Sequence, residues 1–148
     1  MNAATTMTDI HIDDFYRDTA NILVTLYNTF PRHITLYVED ISGPDTPDDF
    51  GLHSKRHESC LSTLLWLANS DYLSYKGLIK REGIEEATLS HRTFLLLNSA
   101  QTGSELNPIE PHGSADLLIN QLRQELQNGT SNTLAILVKN LMACSRQL

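Results

Sequence analysis

Two cysteines, Cys60 and Cys144, in a chain of 148 residues are too few for a disulfide framework. Both fall among apolar helical positions, where a free thiol behaves as a small hydrophobe. Long apolar runs are also missing. The longest, Leu64 to Ala68 and Leu134 to Val138, fall far short of the roughly 20 residues that a spanning helix requires, so no membrane partner is expected. The segment Met1 to Ile10 has neither a basic residue nor an apolar core, so no secretory leader is expected and the cytoplasm is the expected compartment. There is no GxGxxG, GxxxxGK[ST] or GxSxG, which removes the sequence grounds for nucleotide or nucleophilic-serine chemistry. His57-Glu58-Ser59-Cys60-Leu61 opens like a zinc-protease helix, but leucine stands where the second histidine is required. No catalytic residue, no cofactor and no enzymatic activity are expected.

With 41% hydrophobic and 20% charged residues the composition is that of a globular chain, long enough to bury one core. The net charge of −7 is unevenly spread. Residues 1 to 53 carry two basic and nine acidic side chains, whereas residues 54 to 98 carry six and five. The middle third is therefore the one stretch without an acidic excess, although it lacks the basic stripe of a typical nucleic-acid binder.

Asp13 and Asp14 precede a helical pattern with Phe15, Ile22, Leu23, Leu26 and Phe30 on one side, widened by Tyr16, Ala20 and Tyr27. So wide a stripe predicts contact with more than one neighbour. Pro31 ends the helix; Ile34, Leu36 and Val38 then alternate with polar positions as a short strand running into a helical turn near Glu39 to Ile41. Gly43, Pro44 and Pro47 make residues 42 to 49 a loop, and its Asp45, Asp48 and Asp49 read as a solvated acidic cluster without calcium-loop spacing. From Ser54 a helix places Cys60, Leu61, Leu64, Leu67 and Ala68 on one face. Its opposite face carries Lys55, Glu58, Ser59, Ser62, Thr63 and Trp66, with Arg56 at the edge. A tryptophan on a polar face implies that another element covers it. Gly77 and Gly83 bracket a charged turn between two strands, and Ser90 is placed to cap a helix from His91 to Leu97.

Leu61-Ser-Thr-Leu-Leu-Trp-Leu-Ala-Asn-Ser-Asp-Tyr-Leu73, followed by Ala87-Thr-Leu-Ser-His-Arg-Thr-Phe-Leu-Leu-Leu97, resembles the winged helix-turn-helix superfamily, in particular its small bacterial or phage members without an assigned role. The likeness covers residues 12 to 98. It implies a mainly α fold with a small β-hairpin (α+β), in which the helix from Ser54 enters the DNA major groove and the hairpin flanks it. Carried over by position, the DNA-binding residues would be Lys55, Arg56, Ser59, Ser62 and Thr63 on the helix, with Lys76, Lys80 and Arg81 on the wing. Glu58, Glu82, Glu85 and Glu86 oppose that assignment by repelling phosphate.

Residues 99 to 113 read as a linker, and residues 114 to 148 as a C-terminal helical hairpin. Ser114 would cap its first helix and Gly129 end it. The second helix is apolar on nearly every side, so Leu134, Ile136, Leu137, Val138 and Leu141, together with Trp66, are expected at an interface that pairs two subunits or engages another protein. His53, His57 and Cys60 have spacings that could hold zinc, but two cysteines without a CxxC pair argue for no metal; His57 then reads as a satisfied histidine at the core edge. Two functions follow. One is a dimeric DNA-binding transcription regulator with double-stranded DNA as partner; the other is a non-catalytic interaction module that kept the fold without DNA binding.

Overall fold

In the computed structural model, which describes residues 9–102, 105–106, 117–129 and 131–146, helix α1 (Ile10–Thr29) is the spine on which everything else is laid. Its wide stripe explains why. Ala20, Ile22, Leu23 and Leu26 are completely buried, and each leucine or isoleucine side chain removed from water contributes roughly 1.5–3 kcal/mol. The stripe is too broad for one partner, so α1 touches the sheet, α3 and both C-terminal helices.

After the cis Phe30–Pro31 bond come β1 (Ile34–Tyr37), α2 (Val38–Ser42) and α3 (Lys55–Asn69), then β2 (Leu73–Ser74), β3 (Gly77–Ile79), β4 (Gly83–Leu89) and α4 (His91–Leu97). The strand and the helical turn expected at 34–41 are both present, and the Ser54 and Ser90 hydroxyls cap α3 and α4 by accepting from the His57 and Thr93 amides. Helix α3 ends where Asp71 turns left-handed at φ 66°. The Tyr72 amide then returns to the Leu67 carbonyl at 2.9 Å and the Asp71 amide to that of Ala68 at 3.1 Å, which satisfies the last carbonyls and throws the chain into β2.

The small antiparallel sheet has the order β1-β4-β2, with β3 also on β4. Leu73 faces Leu89 and Gly77 faces Glu85 in one continuous register, so β2 and β3 form a single interrupted arm of a hairpin with β4. On the other side of β4 the pairing to β1 slips by one residue between Ile34 and Leu36. Glu86, at φ 51°, takes up the extra residue as a bulge. Gly83 is dictated by proximity: a Cβ there would overlap the Leu36 carbonyl oxygen.

Two further short strands, β5 (Gln101–Thr102) and β6 (Glu105–Leu106), pair with each other. Part of the expected linker is therefore ordered, and the Leu118 amide bonds the Ser99 carbonyl at 2.9 Å. Helix α5 (Leu118–Asn128) ends at Gly129 as expected, whereas the Ser114 cap lies outside the described residues. Helices α5 and α6 (Ser131–Ser145) pack on α1, and their Leu118, Ile119, Leu122, Leu134, Val138 and Leu141 belong to the same buried cluster as Leu23 and Leu64. Among the described residues, no helix is long and apolar enough to cross a membrane.

Candidate functional site

The face of α3 that carries the predicted nucleic-acid contacts is open to solvent only in part. Lys55, Ser59 and Ser62 are exposed, but Thr63 is buried, its hydroxyl donating to the Ser59 carbonyl at 3.0 Å. Arg56 turns inward. Its guanidinium bonds the fully buried Asp18 carboxylate of α1 through both terminal nitrogens, at 2.7 and 2.5 Å, and lies 3.9 Å from Asp14. Bidentate pairing of this kind commits the group to a fold contact.

The hairpin is treated similarly. Arg81 binds the Glu58 carboxylate of α3, and Lys76 lies 3.8 Å from Glu86. Lys80 sits at the tip in a left-handed conformation, φ 47°. Of the five cations assigned to DNA, only Lys55 and Lys80 are without a carboxylate partner among the described residues.

The first turns of α1 rise beside α3 and make its polar face one wall of a groove of ≈ 500 Å³, with His11, Ile12 and Phe15 opposite Lys55, Ser59 and Ser62. Trp66, 44% exposed, lies at the same helix face. Phe15 meets it edge-on at 5.3 Å between centroids and Tyr72 stacks at 6.1 Å, so α1 shields one side of it and leaves the rest open. The other predicted interface residues divide. Leu134, Leu137, Val138 and Leu141 are interior to this same chain, because α6 packs against α1, α4 and α5, whereas Ile136 is 57% exposed. The four buried residues are corrected from surface contacts to core.

A second cluster occupies the joint where the 43–54 loop, the N-terminus of α3 and the β3–β4 turn meet. His53 is bonded at both ring nitrogens, Nδ1 to Asp45 Oδ2 at 2.8 Å and Nε2 to Glu82 Oε2 at 2.6 Å. Two carboxylates that only accept favour the protonated imidazole and raise its pKa above the ordinary value, the Glu82 bond first and the Asp45 bond second. Asp45 is correspondingly lowered to about 2, by its hydrogen bonds with Ser54 first and His53 next. The His57 ring stacks on His53 at 3.7 Å, and its Nε2 donates to the Arg81 carbonyl at 2.8 Å. Its Nδ1 is buried without a hydrogen-bond partner, 3.9 Å from Asp45 Oδ2.

Asp45 is therefore not the solvated loop residue expected, since its side chain is only 13% exposed. Nor is His57 fully satisfied at the core edge. Cys60 stands apart from the histidines in the core, where burial pushes its thiol up to about 12. The zinc grouping considered from sequence thus comes together in its two histidines but exchanges the cysteine for Asp45. Asp18, Asp45 and Glu82 are the residues that sequence reasoning missed; their partners lie 38, 8 and 29 positions away, beyond any helical or strand period. Comparison with family models, curated proteins and solved structures gave no match.

Proposed function

We propose that residues 10 to 89 are a winged helix that serves as a non-catalytic protein-interaction module, with the groove between α1 and α3 as its contact surface. Helix, strand, helix, helix and hairpin follow in the order that fold requires, and β4 lies between β1 and the β2–β3 arm. The observation that carries the functional choice is internal neutralisation. Arg56 and Arg81, the two groups best suited to phosphate, are held by Asp18 and Glu58 of the same chain. The polar face is also walled by Ile12 and Phe15, so it is concave and partly apolar. A major-groove reader needs a protruding helix; a concave floor with an aromatic edge suits a protein segment.

Retention on mixed duplex DNA at low salt is the direct test, and none is expected. In parallel, light scattering over a concentration series and pull-down with wild-type protein are compared with the Ile12→Ser/Trp66→Ser variant, which should lose the self-association or the captured protein. A second reading, the DNA-binding regulator, is favoured by the fold order and by Lys55 and Lys80. It requires salt-dependent retention that falls when those two lysines become alanine, and that outcome would displace the interaction reading.

A further inference from the structure

We propose that Asp45, His53 and His57 form a binding site for one divalent transition-metal ion of the zinc class, at the joint between the 43–54 loop, α3 and the hairpin turn. The proposal stands apart from either reading of the groove. One donor atom from each residue lies within 4.8 Å of the others. The imidazoles are anchored at their outer nitrogens as metal ligands are. Each presents Nε2 to an acceptor on the hairpin turn, Glu82 Oε2 at 2.6 Å and the Arg81 carbonyl at 2.8 Å, the outer contact that fixes a metal-binding histidine's tautomer.

A carbonyl can only accept, so His57 Nε2 carries a proton, which in the neutral ring leaves the lone pair on Nδ1. That nitrogen is buried and without a hydrogen-bond partner, 3.9 Å from Asp45 Oδ2. A neutral ring nitrogen and a carboxylate oxygen this close are both acceptors, and a cation bound by both would reconcile them. Charge points the same way: with His53 neutral as a ligand, Asp45 and Glu82 together balance a dication. Two imidazoles and one carboxylate suit zinc, cobalt or nickel better than calcium or magnesium and complete a tetrahedron with one water.

Loading has a geometric requirement. An imidazole lone pair lies in its ring plane, and the two rings are parallel within 7°, so one ion cannot lie in both planes until the stack opens. His57 is pinned, with its side chain fully buried. His53 borders two clefts, of ≈ 500 and ≈ 350 Å³, and is the ring with room to turn. The 43–54 loop that carries it should rearrange when the ion binds.

The test uses the full chain without a histidine tag, titrated with Zn²⁺ by calorimetry and with Co²⁺ by visible absorption. We expect one ion per chain with Kd on the order of 1 μM or tighter, and Co²⁺ d–d bands without thiolate charge transfer. Asp45→Asn and His53→Gln should each weaken binding by about tenfold or more, and Glu82→Gln by roughly tenfold through the ring it orients. Replacing the exposed His11, His33 and His91 with alanine should change nothing. Absence of saturable binding, a thiolate band, or binding that survives Asp45→Asn and His53→Gln but disappears with the three surface histidines would each overturn the proposal. Because the Co²⁺ titration is read on the wild-type protein, absent binding or a thiolate band overturns the proposal whether or not any variant folds.

Discussion

Two regions of this molecule are held together by different forces. Where α1, α5 and α6 meet, the buried contacts are aliphatic: Leu23, Leu122, Val138 and Leu141 fill the space, and the polar contacts, Arg123 to Asn28 and Lys139 over Tyr16, lie around them. Such aliphatic contacts are non-directional, and many residues share the load. Where the 43–54 loop, α3 and the hairpin turn meet, and where α3 meets α1 beside them, the joint consists of directed charged bonds from Arg56, Arg81 and His53 to Asp18, Glu58, Asp45 and Glu82. Each of these needs its partner. The apolar layer should therefore respond to loss of volume and be indifferent to pH and salt, whereas the joint should respond to single charges.

The sharpest contrast comes from Arg56→Ala. Asp18 would be left as a buried carboxylate with its guanidinium gone, and breaking a buried pair from one side costs about 3 kcal/mol, the low end of the usual range because Arg56 is 34% open to solvent. Denaturant unfolding should show this loss, and replacing Asp18 with asparagine in the same chain should recover part of it. In the apolar layer, Val138→Ala is expected to cost about 2 kcal/mol from lost transfer energy and the cavity left behind, with the same value at low and high salt. A salt-dependent penalty at Val138, or none at Arg56, would erase the distinction.

The same division decides what could be read from the residues alone. Helix α1's stripe, the alternation of Ile34, Leu36 and Val38, and the caps Ser54 and Ser90 are local patterns, and each reappears in the fold. The small antiparallel sheet on a mainly helical frame follows from them. That Leu134, Leu137, Val138 and Leu141 of α6 would be covered by this same chain was not legible, because periodicity marks a face as apolar without naming what covers it. The histidine joint was hidden for a stronger reason. Asp45 enters only because the loop folds back, with the Asp48 carboxylate accepting from the amides of Phe50 and Leu52, and no periodic signal encodes that return.

A pH series on chelator-treated protein probes the joint next. The folded pKa of His53 is raised above its ordinary 6.5, so its contribution is complete below that value and is lost as pH rises through the elevated one. Asp45 works in the opposite direction: its contribution is complete above 3.8 and fades as pH falls toward about 2. Stability contributed by this pair is therefore greatest between about pH 4 and 6.5. Melting temperature should decline from there toward alkaline pH in the wild type, and His53→Gln should flatten that decline. An equal alkaline decline in both proteins would remove His53 as its source.

The smallest effect belongs to Arg81→Ala. Arg81 and Glu58 form the most visible ion pair between α3 and the hairpin, yet Arg81's side chain is 65% exposed and Glu58's 33%. Water screens such a pair and ordering two long side chains offsets most of the attraction, so the loss should be under about 1 kcal/mol and should shrink further in salt. The informative comparison is with Arg56: the two arginines carry the same charge and the same kind of partner, and differ in whether the carboxylate can return to water. If Arg81→Ala costs as much as Arg56→Ala, then burial of Asp18 is not what makes the joint sensitive to single charges.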